Sequence, residues 1–211
     1  SYFCLEGQTL PQNMTQEATK RKIYVVTAYC VAQPDSASPG HETAFMQQKR
    51  MLTLRGEENP KPRKQVFADL TEQIKEWQKD KAEIVLCLDA NADLLDKEFQ
   101  DLIRKTELID LMATRLGADL PETYVRGKKT IDHIFGSPRV EGAIEGAGYL
   151  AFNDGIMSDH RGIFIDFNRG ILFGKDQVTE ERPQRLLSKK NKKGAAQYRT
   201  TASQSILSNN I

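Results

Sequence analysis

Apolar and polar positions along the chain fall into short blocks whose spacing predicts alternating strands and helices. Residues 22–30, with Ile23, Tyr24, Val25, Val26, Thr27 and Tyr29, are dense in β-branched and aromatic side chains and predict a buried strand. Residues 65–79 place Val66, Phe67, Leu70, Ile74 and Trp77 at steps of three and four, the apolar stripe of a helix. A continuous apolar run at 83–88 then predicts a second strand. Residues 96–106, with Phe99, Leu102 and Ile103 on one side, predict another helix. A helix is expected over 41–54, ending before Gly56, with loops at 33–40 and 57–64 where prolines interrupt the pattern. Residues 123–135 read as a hairpin turning at 126–129, and 162–167 as a last strand. Residues 1–21 are polar and give no assignment. Helix followed closely by strand is the rhythm of an α/β domain with layered helices and sheet.

Length and composition are consistent with one domain carrying a tail. The chain has 211 residues, 39% apolar and 28% charged, with a mean hydropathy of −0.55. No stretch approaches the ~20 apolar residues of a membrane span, and the start shows no basic segment followed by an apolar one, the mark of a signal peptide. The chain begins with Ser1 rather than Met, as a piece of a longer product would. Cys4, Cys30 and Cys87 are three in number and widely spaced, without zinc-type spacing, which points to reduced thiols and an intracellular setting, nucleus or cytoplasm undecided. Charge is unevenly placed. Residues 182–211 hold seven Lys or Arg and no acid, leaving 23 basic against 29 acidic residues in the rest. The expected organisation is a domain over 1–173 and a basic, partly helical linker or tail over 174–211. Such a tail either meets nucleic-acid phosphates or is a solvated arm.

Three clusters put acids or acid/base groups at the ends of apolar strands, where a sheet presents side chains to a ligand. They are Asp89-Ala90-Asn91 after Leu88, Asp132-His133 within 131–135, and Ser158-Asp159-His160 before the last strand. Each has a structural alternative. Asp89 or Asn91 can cap a helix, Ser158-Asp159 can be a plain turn, and His133 reads as a strand side chain. Asp132 is harder to place in an apolar strand without a partner or a cleft.

The order of an apolar strand with Asp89-x-Asn91, then Ile131-Asp132-His133-Ile134, then Ser158-Asp159-His160 resembles the endonuclease/exonuclease/phosphatase superfamily with its deoxyribonuclease I-like fold. The 25–29 strand is similar to that family's tyrosine strand. Residues 43–45, 59–63 and 123–127, with the close Leu172-Phe173-Gly174, look like the retrotransposon-type endonucleases that precede a reverse transcriptase. The resemblance implies the C-terminal portion of a β-sandwich flanked by helices, and metal-dependent cleavage of phosphodiesters, foremost DNA. Readings kept beside it are a phosphoesterase acting on inositol phosphates or phospholipids, and a catalytically dead nucleic-acid-binding remnant.

Carried onto this chain, the resemblance makes Asp89 the group that orients or deprotonates the attacking water. Asn91 and Tyr29 would hold the phosphate, and Asp159 the cation. His160 would stabilise the growing phosphate charge, with Asp132 fixing its tautomer. A site of carboxylates, an amide and water suits Mg²⁺ or Mn²⁺. Arg126, Lys128 and Lys129 are candidate contacts to a nucleic-acid backbone. Two departures qualify the match. Leu88 stands where the family has Gly, and is expected to crowd the site floor or turn Asp89 away. Only 28 residues precede Tyr29, and Glu6 and Glu17 do not sit as the family's metal-binding Glu does. The implied domain therefore lacks the first half of the sandwich and exposes apolar area.

Overall fold

The computed structural model describes residues 1–9, 19–34, 43–92, 94–152, 154 and 158–173. The tail expected over 174–211, the first two residues of the helix expected over 41–54, and Glu17 lie outside them. The centre is a five-stranded mixed sheet. Its strands are β1 (Tyr2–Thr9), β2 (Thr19–Tyr29), β3 (Glu83–Asp89), β4 (Ile109–Asp110) and β5 (Asp132–Gly136), in the order β1-β2-β3-β5-β4. β2 and β3 run parallel; the other pairs are antiparallel. Parallel strands need a crossover. Here it contains α1 (Ala44–Leu54) and α2 (Pro62–Lys79). α3 (Lys97–Thr106), α4 (Leu111–Leu116) and α5 (Pro138–Glu141) follow β3, β4 and β5. β6 (Ile144–Tyr149) and β7 (Ile163–Phe167) form a separate antiparallel pair, and α6 (Arg169–Phe173) comes after β7. This mixed sheet flanked by helices is an α/β fold. No helix among the described residues is long and apolar enough to cross a membrane.

Apolar clusters on the two faces of the sheet explain the continuous run in β3, since a strand covered on both sides cannot alternate. On one face, Phe67, Ile74 and Trp77 of α2 and Phe99 and Leu102 of α3 pack on Val26, Ile84, Leu86, Leu88 and Phe135. Trp77 stacks on Tyr24 at 4.4 Å. On the other, Ile23, Val85 and Ile134 meet Leu111, Met112, Val140 and Leu172, with Ile163, Ile165 and Phe167 of β7 packed against them.

Several elements differ from the sequence expectation. α2 begins three residues early because Pro62 sits in its first turn, where a missing N–H costs nothing. The hairpin over 123–135 does not form. Tyr124 bridges His160 instead of returning along β5, whose neighbours are β3 and β4. Residues 2–9, without an assignment from sequence, are an edge strand whose Phe3 and Leu5 remain 54% and 42% exposed. Both belong to the row that shares a face with Val25. Exposed apolar side chains on an edge strand invite self-association. The double change Phe3→Ser and Leu5→Ser is expected to leave unfolding free energy within about 0.5 kcal/mol, as for surface positions generally, while raising solubility. Urea titration and light scattering check both halves.

Candidate active site

Tyr29, Asp89 and Asp132 are register partners at the same end of three adjacent strands: Tyr29 opposite Asp89, and Asp89 opposite Asp132. Register partners share a face, so the three side chains form one row across β2, β3 and β5. Main-chain bonds continue past the last rungs, from Cys30 N to Asp89 O at 2.8 Å and from Ala90 N to Ile131 O at 2.9 Å. The row is therefore held rigidly.

His160 reaches it from the turn before β7. Its Nδ1 lies 2.8 Å from Asp132 Oδ2. Ligand-capable atoms of Asp89, Asp132 and His160 all lie within 4.8 Å of one another. A strap over 122–125 joins the two halves of this pair. Buried Thr123 accepts bonds from Ile131 N and Asp132 N on its hydroxyl, both at 3.0 Å. Arg161 N donates to Thr123 O, and Val125 N to Asp159 O, each at 2.8 Å. The Tyr124 ring lies 5.2 Å from the His160 ring.

Asn91 follows Asp89 in a left-handed conformation, φ 44°, which asparagine tolerates better than most residues. Its N–H donates to Asp89 Oδ1 at 3.0 Å, and its side-chain amide to Cys30 O at 2.9 Å. Leu88 does not crowd the site. It is 2% exposed in the helix-side core, because alternate strand residues face opposite ways. Tyr29 is 53% exposed on the site face. Asp159 is exposed and stands outside the three-residue group. Arg126, Lys128 and Lys129 are exposed on the loop beyond the strap. His133 turns to the core, with Nε2 3.2 Å from Ala92 O and its ring against Phe99. Buried Cys30 is pushed up to about 11 by burial, and Cys87 is raised by the same cause; neither is a reactive thiolate.

Thr123 and Arg63 are the supporting residues that sequence reasoning did not place. Both act on main-chain groups distant in sequence, and no local pattern marks such contacts. Electrostatics follow from the crowding. Burial, then the Asp132 charge, raise the Asp89 pKa above the ordinary carboxylate value; the Asn91 N–H, His160 and Arg63 oppose them. For His160, partial burial lowers the pKa, but the hydrogen bond and charge of Asp132, with Asp89 and Asp159 adding to them, outweigh it and the net shift is upward. A raised histidine pKa stabilises the folded state below the ordinary value of 6.5, and that contribution is lost as pH rises through the folded value. The stability deficit of His160→Gln, read by urea titration, is accordingly expected to be largest near about pH 5.5 and to shrink towards about pH 9. A deficit independent of pH would contradict the pairing.

No family model and no curated protein matches the chain. Solved structures with a related trace include the catalytic domain of human nocturnin, at 16% identity and TM-score 0.46, over 80% of this chain and 58% of that one. The 3′-5′ exonuclease NExo from Neisseria meningitidis aligns at 17% identity and TM-score 0.48, over 79% of this chain and 80% of its own. An endonuclease/exonuclease/phosphatase family protein from Bacteroides thetaiotaomicron aligns at 17% and 0.38, over 69% and 48%. The chain thus spans less than two thirds of two of these three.

Proposed function

We propose that this chain carries a metal-dependent phosphodiester-hydrolysing site of the endonuclease/exonuclease/phosphatase type, centred on Asp89, Asp132 and His160. The observation that carries the reading is the 2.8 Å contact of His160 Nδ1 with Asp132, made within 4.8 Å of Asp89 at the ends of paired strands. With Nδ1–H donating to the Asp132 carboxylate, Nε2 stands on the opposite side of the ring and donates when the imidazole is protonated, the form the carboxylate favours. A cationic donor there stabilises charge growing on a phosphoryl oxygen in a partly dry site. Asp89, raised by burial and by Asp132, is suited to take a proton from water. Tyr29 stands in the same row to hold a phosphate oxygen. Asn91, whose amide already donates to Cys30 O, retains its carbonyl oxygen and second N–H for water or phosphate.

The donor set fits a hard divalent cation. Carboxylate oxygens of Asp89 and Asp132 converge beside His160, and exposed Asp159, the residue before His160, adds its charge to the same side. With Asp89 as base, Asp159 would be the carboxylate that holds Mg²⁺ or Mn²⁺, and the cation would supply Lewis-acid polarisation of the phosphoryl oxygen.

DNA is the substrate this reading favours, with Arg126, Lys128 and Lys129, exposed on the loop that follows Tyr124, as candidate contacts to its backbone. Retroelement ancestry, with linkage to a reverse transcriptase, rests on the sequence likeness at 59–63 and 123–127. The second layer is two strands deep among the described residues and leaves Phe3 and Leu5 exposed, which supports reading the chain as the C-terminal part of a deoxyribonuclease I-like sandwich. The purified chain is expected to hydrolyse bis(p-nitrophenyl) phosphate in Mg²⁺ or Mn²⁺ and to stop in EDTA. A faster rate on DNA than on an inositol polyphosphate supports the substrate assignment, and the reverse order overturns it.

A further inference from the structure

Arg63, in the first turn of α2, is 7% exposed. A buried guanidinium is costly unless its donors are satisfied. Here Nη1 donates to Val31 O at 2.7 Å and to Ala90 O at 3.3 Å, while Nη2 makes a long contact, 3.4 Å, to Asp96 Oδ2. Its nearest contact is therefore a main-chain carbonyl rather than a carboxylate. Val31 lies two residues beyond Tyr29. Ala90 stands between Asp89 and Asn91, and Asp96 caps α3 at the far end of the same loop.

We propose that Arg63 is a positioning residue for the site, a buried fork that sets the spacing of the chain segments leaving β2 and β3 and so aims Asp89 and Asn91. The inference rests on the hydrolytic reading above. It is carried by the way these contacts close a loop of bonds. Arg63 joins Val31 O to Ala90 O, and the Asn91 amide joins back to Cys30 O at 2.9 Å. Cys30 N donates to Asp89 O at 2.8 Å between them. Nη1 holds both carbonyls while Nη2, fixed in the same plane, reaches Asp96; an ammonium on a flexible stem has no second nitrogen to hold that plane, so lysine is not an equivalent. Asn91 keeps its left-handed φ of 44° through these contacts. Removing the fork lets the Asp89-Ala90-Asn91 segment relax by a fraction of an ångström to an ångström, enough to misalign a reacting group.

The test compares Arg63→Met, Arg63→Lys and Arg63→Ala with the unaltered chain. Arg63→Met is expected to lower kcat about 10²-fold with little change in KM. Arg63→Lys recovers thermal stability but not kcat, and millimolar methylguanidinium recovers part of the kcat of Arg63→Ala. Ile74→Val, a core change remote from the site, lowers stability and keeps kcat. A loss of kcat no larger than the loss of folded protein, or a loss confined to KM, overturns the proposal. Two-dimensional ¹H–¹⁵N spectra give a readout that needs no activity. In Arg63→Met the Asn91 side-chain amide and the Ala90 and Asn91 main-chain amides are expected to shift, while those of 126–129 stay. An unmoved Asn91 side-chain amide overturns the positioning role whether or not the hydrolytic reading holds, and an inactive unaltered chain with shifted amides overturns that reading alone.

Discussion

Replacing His160 by alanine is expected to lower kcat for DNA cleavage roughly 10²–10³-fold, the usual loss when one fixed donor to a developing oxyanion is removed. On the proposed role the loss should fall on kcat more than on KM, because the imidazolium would meet charge that grows during the reaction. Asp132→Asn is the informative companion. An amide preserves the shape opposite His160 Nδ1 but removes the charge that favours the imidazolium. It should therefore cost most of what His160→Ala costs, and the double variant little more than either alone, since the two act as a unit. Steady-state rates on a DNA oligonucleotide, with circular dichroism to verify folding, check this. Additive losses would show that the two residues act separately.

Phe99→Ala is expected to have the largest effect on stability, about 3–5 kcal/mol. Phe99 is fully buried at the junction of helix and sheet. Its ring stacks with Phe67 at 5.6 Å, meets Phe135 edge-on at 5.6 Å, and lies 5.0 Å from His133. Truncation would remove contacts of α3 with both α2 and the sheet, leaving a cavity that rigid strands cannot close. His133 holds Ala92 O, so the same cavity should loosen the loop that follows Asp89. Urea unfolding measures the loss. A change below about 1 kcal/mol would mean that α3 is not packed as described.

Where one periodicity dominated, the elements were legible. α2 and α3 carry unbroken apolar stripes, and β2 and β3 are dense in residues that suit a pleated, covered surface. β6 escaped notice because its sequence, Ile144-Glu-Gly-Ala-Gly-Tyr149, is half small residues. Its structure explains the choice: a Cβ on Gly148 would lie 2.7 Å from the Phe164 ring of β7. The expected hairpin failed for a different reason. The chain does turn, but at 124–127, where Gly127 N donates to Tyr124 O, and Tyr124 and Thr123 bond across to the 160–161 segment, which no local pattern reveals. In the site, Asp89, Asp132 and His160 could be picked out because acids and imidazoles at strand ends are conspicuous. Leu88 does not crowd Asp89 because the alternation of the strand turns it into the helix-side core. Arg63 and Thr123 stayed hidden because their partners are carbonyls and N–H groups, which carry no side-chain signature.

The most direct measurement is conversion of supercoiled plasmid to open circles by the purified chain in Mg²⁺, run beside EDTA and an Asp89→Asn variant. The account predicts nicking that requires both the cation and the Asp89 carboxylate. Intact plasmid from a chain shown to be folded, or nicking that continues in EDTA or in Asp89→Asn, would contradict it.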